Sequence, residues 1–369
     1  MKKGLILLVF LVVVGLIILP SKSAMTKVQG ECSNCHTMHA SQSPTPTQWT
    51  ARGFNGTPHG ALVVGDCFGC HSDSGSTSKI VVGGSTFPIV WNKTEPTAPL
   101  AAGNFFYVAT GTGSDTKGHN VSGIAGQDTN IGLTPPGYKQ LTGWGPQEAT
   151  WTSQLTCAGT YGCHGLRNTT DQFAAIRGLH HAASRPYRML YGDASNGIGG
   201  VEDPNYEEGK LSGNPTGTHN VYKGSTDGAD VTTISYLCGE CHGKFHRNTN
   251  LGGTTEVGSA SPWLRHPTDI ALAASGSSLF TTDYGVTVNY NYETPVAFAD
   301  PAGKANAGLP VTTFSNGIVM CLSCHRAHAS SKYGTAVPDD ILRFDYTQIK
   351  AGQATPVTTG CNRCHQRQR

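Results

Sequence analysis

The feature that most constrains this chain is the arrangement of its twelve cysteines, which fall into six pairs that are each followed directly by a histidine. Five pairs enclose two residues, whereas the third pair, Cys157 and Cys163, encloses five. Disulfide bonding has no reason to select that histidine, and zinc sites do not require one after every pair. The pattern therefore argues against both a disulfide-stapled exported domain and a set of zinc sites.

Cys-x-x-Cys-His is the attachment sequence of c-type haem, in which two thiols form thioethers and the adjacent histidine binds iron from the proximal side. The sequence therefore predicts six haems c. We expect the longer, glycine-containing loop of the third motif to bow outward, so that both of its thioethers still form. The predicted thioether residues are Cys32, Cys35, Cys67, Cys70, Cys157, Cys163, Cys238, Cys241, Cys321, Cys324, Cys361 and Cys364. The predicted proximal ligands are His36, His71, His164, His242, His325 and His365.

The second axial ligand of each iron is also predicted to be histidine. Away from its start the chain carries only three methionines, too few for six His/Met sites, while nine histidines remain after the proximal six. Ligation by two histidines implies lower potentials than ligation by histidine and methionine. The distal candidates are His39, His119, His180, His219, His246, His266 and His328.

Local spacing restricts how these candidates pair. His39 follows His36 by three residues, so on a helical turn both side chains lie on one face and cannot bind opposite sides of one haem. The same argument applies to His325 with His328 and to His242 with His246. Each such segment is predicted to join two haems, the alternative being a solvent-facing histidine beside a haem.

Other histidines are ranked by their neighbours in the chain. Gly-His119-Asn-Val recurs as Thr-His219-Asn-Val, which indicates a shared role. His180 and His181 are adjacent, so their side chains diverge and at most one is expected to reach a given iron. His266 precedes Pro267, which favours an extended backbone there. His59 lies in a Thr-Pro-His-Gly turn and is predicted to be a surface residue.

Residues 1–24 have the features of a signal peptide: Lys2 and Lys3, then an apolar run from Gly4 to Leu19, then small residues. A retained membrane anchor is the alternative, since sixteen apolar residues fall just short of the usual span. Removal of residues 1–24 deletes three lysines and leaves 23 basic against 24 acidic residues, a net charge of −1. Twelve haem propionates would make the loaded protein acidic, which excludes nucleic acid as a favoured partner.

Composition predicts a fold with little regular structure. Only 14% of residues are charged and 47 are glycine, which favours turns over long helices. We expect residues 25–369 to form a single domain of the multihaem cytochrome c class, mostly coil with short helices and small hairpins wrapped around a chain of six stacked haems. Hairpins are predicted at 104–109 and 287–292, and helices at each motif, at 171–181 and at 339–350.

Several motifs resemble those of the OmcS family of hexahaem outer-surface cytochromes, which polymerise into extracellular filaments. The resemblance lies in residues 31–39, 117–120, 238–246, 264–267, 321–330 and 361–365; the run Cys321–Ser330 is specific. It implies alternating parallel and T-shaped pairs of bis-His haems in a head-to-tail homopolymer at the cell surface. It also implies that His39 binds the haem of His325 in the neighbouring subunit, and that redox partners are other multihaem cytochromes or metal oxides.

The predicted function is electron conduction without substrate chemistry. A periplasmic or surface electron shuttle, with the same haems but no polymer, is the alternative. A multihaem reductase is a third possibility, but it needs an iron with an open position, whereas all six motifs keep their histidine. An adhesive fibre with structural haems is a fourth, although six haems exceed an obvious structural need.

Overall fold

The computed structural model describes residues 28, 30–36, 59–109, 117–139, 150–208, 218–248, 268–272, 294–306 and 316–330. The signal segment 1–24, His39, His266 and the sixth motif with Cys361, Cys364 and His365 lie outside these residues. So do the predicted hairpin at 287–292 and the predicted helix at 339–350. No helix among the described residues has the length and apolar character needed to cross a membrane.

The described α-helices are short, and three of the six carry a Cys-x-x-Cys pair. The longest has eight residues. Several helices have a polar N-cap residue: the Asp66 side chain accepts a hydrogen bond from the N–H of Gly69, and the Thr233 side chain accepts one from the N–H of Tyr236. The helices are α1 (Cys67–His71), α2 (Phe106–Ala109), α3 (Gln172–Ala175), α4 (Ile234–Cys241), α5 (Pro301–Asn306) and α6 (Cys321–Cys324). The first motif forms a 3₁₀ turn at Cys32–Asn34.

The strands are equally short and form four small sheets in the described part of the chain. They are β1 (Ser72–Asp73), β2 (Lys79–Val82), β3 (Ser85–Pro88), β4 (Trp91–Asn92), β5 (Thr156–Ala158), β6 (Gly162–His164), β7 (Gly200–Val201), β8 (Val221–Lys223), β9 (Ile270–Ala271), β10 (Ala297–Phe298) and β11 (Ile318–Val319). Three sheets have two strands, β1-β4, β2-β3 and β5-β6, and the fourth has the order β7-β8-β10-β11-β9. The prediction of coil with short helices and small sheets is confirmed.

Three predicted elements differ in the structure, one of them the third motif, which forms β5 and β6 instead of a helix. Residues 106–109 form α2 rather than part of a hairpin, because the buried Asn104 side chain accepts a hydrogen bond from the N–H of Phe106 and another from that of Asn92. The predicted helix at 171–181 ends early. Asp171 caps α3, but Gly178 adopts a left-handed conformation (φ +76°) that an α-helix does not continue through.

The main apolar core lies where α4 and α6 pack against the five-stranded sheet. Ile198, Tyr222, Ile234 and Met320 are almost fully buried there. This packing brings the fourth motif, at the end of α4, against the fifth motif in α6. A second cluster around Phe105, Val108 and Val121 includes Ala329, so it joins residues 105–125 to the segment that follows the fifth motif.

Candidate haem-binding sites

Proximal histidines of four motifs share one hydrogen-bonding pattern. Each directs its Nδ1 to a backbone carbonyl 2.9 Å away: His36 to Ala61, His71 to Pro88, His164 to Arg188, and His242 to Pro136. A carbonyl can only accept, so in each neutral ring Nδ1 carries the hydrogen and Nε2 keeps its lone pair. A metal-binding imidazole has this arrangement: one nitrogen faces the metal, and the N–H of the other donates to a backbone carbonyl.

Three proximal imidazoles face a second imidazole at a common separation. The ring centres are 6.0 Å apart for His36 and His181, 6.3 Å for His71 and His180, and 6.1 Å for His119 and His242. A metal ion holds an imidazole nitrogen at about 2.0–2.1 Å, so two imidazoles on opposite sides of one ion have ring centres about 6.3 Å apart. The three pairs therefore fit bis-His binding of a haem iron.

Burial favours the neutral form of five of the described histidines. Burial lowers the pKa of His180 and His242 to about 4 and that of His328 to about 3. Burial also lowers the pKa of His119 and His164. Imidazole binds a metal in its neutral form, and these rings are neutral at pH 7.

His328 lies near His164 and is joined to the segment of His119. Burial is the main cause that lowers the pKa of His328, and the charge of His164 comes second, ahead of that of His119. A hydrogen bond from the N–H of His119 to the carbonyl of His328 (2.9 Å) joins the segments of these two residues. The adjoining residues Gly118 and Ala329 form an isolated antiparallel bridge.

The stretched third motif folds as two paired strands rather than a helix. The pairs Thr156–Gly162 and Ala158–His164 place Cys157 opposite Cys163. The intervening residues turn away at Gly159, whose φ is +84° and where a Cβ would come within 2.5 Å of the Thr169 carbonyl. Tyr161, inside the loop, is buried against Trp151, with ring centres 5.3 Å apart. This register presents both thiols together, as attachment to one haem requires.

Thiols of different motifs also come into contact. The Cys157 thiol lies close enough to Cys67 to lower the pKa of the Cys67 thiol, and Cys321 lies close enough to Cys238 to raise the pKa of the Cys238 thiol. None of the ten cysteines in the described part of the chain forms a disulfide. The second and third motifs are therefore neighbours in space, as are the fourth and fifth.

A buried ion pair links the third and fourth motifs. Arg167 Nη1 lies 2.6 Å from Glu240 Oε2, and the two side chains are 5% and 0% exposed. Glu240, which lies between Cys238 and Cys241, also accepts a hydrogen bond from the N–H of Asp193. Burial raises the pKa of Glu240 to about 7, although Arg167 opposes the shift. Arg167 Nε donates to Gly162 in the third motif, so this contact ties β6 to α4.

Both ring nitrogens of His246 have neighbours within the protein. Its Nδ1 accepts a hydrogen bond from the N–H of Asn248, the opposite of the pattern in the proximal rings. Its Nε2 lies 2.8 Å from Asp269 Oδ2, in ion-pair range though not aligned as a hydrogen bond, and both side chains are nearly inaccessible. These contacts differ from those of the other histidines, and the distal assignment of His246 stays a prediction.

The other candidates are distributed as follows. His219 is fully buried and its Nδ1 donates to the Asn220 carbonyl at 2.8 Å, which leaves Nε2 in the metal-binding form. His59 stacks on Phe173 with ring centres 5.5 Å apart. His181, left out of the predicted ligands, faces His36. The sequence did contain an indication of this, because the side chains of the adjacent residues His180 and His181 diverge and can therefore reach two different sites.

No protein-family model matches the chain. It is 26% identical to the C-type cytochrome OmcS of Geobacter sulfurreducens, in an alignment covering 81% of this chain and 76% of that protein. Among solved structures, the Outer Membrane Cytochrome S filament of G. sulfurreducens is 20% identical, with 88% of this chain and 85% of that chain covered and a TM-score of 0.46. The OmcS nanowires of the same organism are 19% identical, with 86% and 84% covered and a TM-score of 0.40. The chain is thus similar to the C-type cytochrome OmcS, and the family resemblance predicted from its motifs is confirmed.

Proposed function

We propose that this protein carries electrons outside the cell through six c-type haems, each held by two histidines, in a filament of identical subunits. The observation that carries the proposal is the set of three imidazole pairs with ring centres 6.0–6.3 Å apart. Bound haem supplies a one-electron iron(III)/iron(II) couple at each site. The protein chain provides two thioether cysteines and two imidazoles for each group, and holds each group next to another.

We assign four ligand pairs. The ring separations support three of them: His36 with His181, His71 with His180, and His242 with His119. The fourth, His164 with His328, is proposed because the charge of His164 lowers the pKa of the buried His328. The iron bound by His325 is assigned to His39 of the neighbouring subunit, on the family resemblance. The iron bound by His365 then takes His219 or His266. His219 has the hydrogen-bonding pattern of a ligand, which supports it for that place.

The same contacts support a continuous order of the first five haems. Adjacent residues, His180 and His181, serve the second and first. The Cys67–Cys157 contact brings the second beside the third. The backbone hydrogen bond from His119 to His328 brings the fourth beside the third. The Cys238–Cys321 contact and the packing of α4 on α6 bring the fifth beside the fourth.

Localisation and assembly are proposed from the relative. OmcS is described as forming nanowires, and this chain begins with a segment that has the features of a signal peptide. Export, polymerisation and delivery of electrons to other cytochromes or extracellular metal oxides follow from that likeness. The same haems without a polymer would make a shuttle. A reductase would need an iron with a free position, and the histidine pairs leave none on the irons that they serve.

Two measurements on the haem-loaded protein test this proposal. Electron microscopy of the haem-positive material sheared from cells is expected to show ordered filaments, whereas discrete particles would favour the shuttle. The reduced protein is expected to bind almost no carbon monoxide, because every iron has two histidine ligands. Substantial binding would contradict the ligand pairs and favour a reductase.

A further inference from the structure

The carbonyls that hold His36 and His164 belong to two turns built alike. Residues 60–63 and 187–190 each carry two left-handed residues in succession: Ala61 and Leu62 (φ +58° for both), and Arg188 and Met189 (φ +51° and +59°). The ψ angles of Ala61 and Arg188 are 26° and 28°. These are the angles of a type I′ turn, which normally takes asparagine or glycine at its centre.

The hydrogen bonds around the two turns also correspond. The N–H of Leu62 donates to His59, and the N–H of Met189 donates to Pro186. One residue later, the N–H of Val63 donates to Gly60, and that of Leu190 to Tyr187. His36 forms an antiparallel bridge with Val63, as His164 does with Leu190. The same turn, with the same hydrogen bonds, thus lies beside the histidine of the first motif and that of the third, although the two turns share almost no sequence.

Left-handed backbone at a residue other than glycine is strained, because the Cβ atom crowds the neighbouring carbonyl oxygen. Such strain persists only where its surroundings impose it, and it concentrates at functional sites. Four of the seven non-glycine residues with positive φ in the described part of the chain lie in these two turns. At the second and fourth motifs the acceptor carbonyl belongs to a proline instead, Pro88 or Pro136, whose φ is fixed by its ring.

We propose that the two turns are positioning elements that set the potentials of the first and third haems. The left-handed Ala61 and Arg188 aim their carbonyls at Nδ1 of His36 and His164, which makes each imidazole a stronger donor to iron. A stronger donor stabilises iron(III) and lowers the potential. This inference rests on the proposed haem ligands, because the potentials belong to the groups bound there.

The test compares Ala61→Val with Ala61→Gly in the full-length, haem-loaded protein. Valine is β-branched and does not accept the left-handed conformation, whereas glycine adopts it freely. Redox titration followed through the low-spin signals in electron paramagnetic resonance is expected to show one haem at higher potential in Ala61→Val. Ala61→Gly is expected to titrate like the wild type and to unfold at a higher temperature, since the strain is relieved.

Met189→Val and Met189→Gly repeat the comparison at the other turn, where the potential of a different single haem should rise in the valine variant. These two variants replace the first pair if Ala61→Val fails to load six haems. Valine variants that titrate like the wild type would overturn the inference. A glycine variant in which the potential of the corresponding haem changes would also overturn it, and this test remains even if neither valine variant folds. A high-spin signal in the wild-type protein would instead contradict the ligand pairs themselves, so the two failures are distinguishable.

Discussion

His180 and His181 are neighbours in the chain, yet their rings face different proximal histidines, His71 and His36. They lie in the turn that follows α3, where the backbone no longer repeats with a helical period. Successive side chains there point in different directions, so two adjacent residues serve two sites. In the proposed ligand set, the ligands of the first two haems are therefore adjacent residues, joined by a single peptide bond.

Replacing either of these histidines by alanine should open one iron and leave the other five closed. His180→Ala frees the iron bound by His71, and His181→Ala frees the one bound by His36. We expect each reduced variant to bind about one carbon monoxide per six haems, by optical titration of the Soret band. His59→Ala is the matched control: its ring stacks on Phe173, so it should bind no more than the wild type. Equal binding in all three variants would contradict the assignment.

At the scale of elements, Arg167 joins α4 to β6, because it pairs with Glu240 of α4 and donates to the Gly162 carbonyl of β6. Two charges this deeply buried repay their desolvation only while both are present. The Lys79–Glu208 pair, with both side chains 31% exposed, remains in contact with water and is worth far less. The two pairs therefore provide an internal comparison within one chain.

Glu240→Gln leaves the Arg167 guanidinium buried without a countercharge and should lower the free energy of unfolding by about 3–5 kcal/mol. Glu208→Gln should cost less than about 1 kcal/mol. Guanidinium denaturation followed by circular dichroism measures both. The double variant Arg167→Met with Glu240→Leu removes both charges and should be more stable than Glu240→Gln. Similar losses for Glu240→Gln and Glu208→Gln would show that the buried pair is not a structural tie.

At the scale of the whole molecule, the sequence predicted the features that depend on neighbouring residues, such as the haem-attachment motifs. It did not predict the contacts between residues that are far apart in the chain. The motifs and the scarcity of methionine point to bis-His haems because a ligand and its cysteines lie within a few residues. The partner of Glu240 lies 73 residues away, and the carbonyl that fixes His242 lies 106 residues away, so neither follows from spacing. The contact between His246 and Asp269, 23 residues later in the chain, does not follow from spacing either.

The proposed assembly into filaments depends on one residue in particular, His39, which is predicted to bind a haem of the neighbouring subunit. If His39 binds the iron of His325 in the next subunit, His39→Ala removes both a ligand and a link between subunits. We expect this variant to yield discrete particles in electron microscopy instead of filaments, and its reduced form to bind about one carbon monoxide per six haems. His59→Ala should leave both properties unchanged. Intact filaments with one open iron would make His39 a ligand within its own chain, whereas intact filaments with all irons closed would remove it from the ligand set.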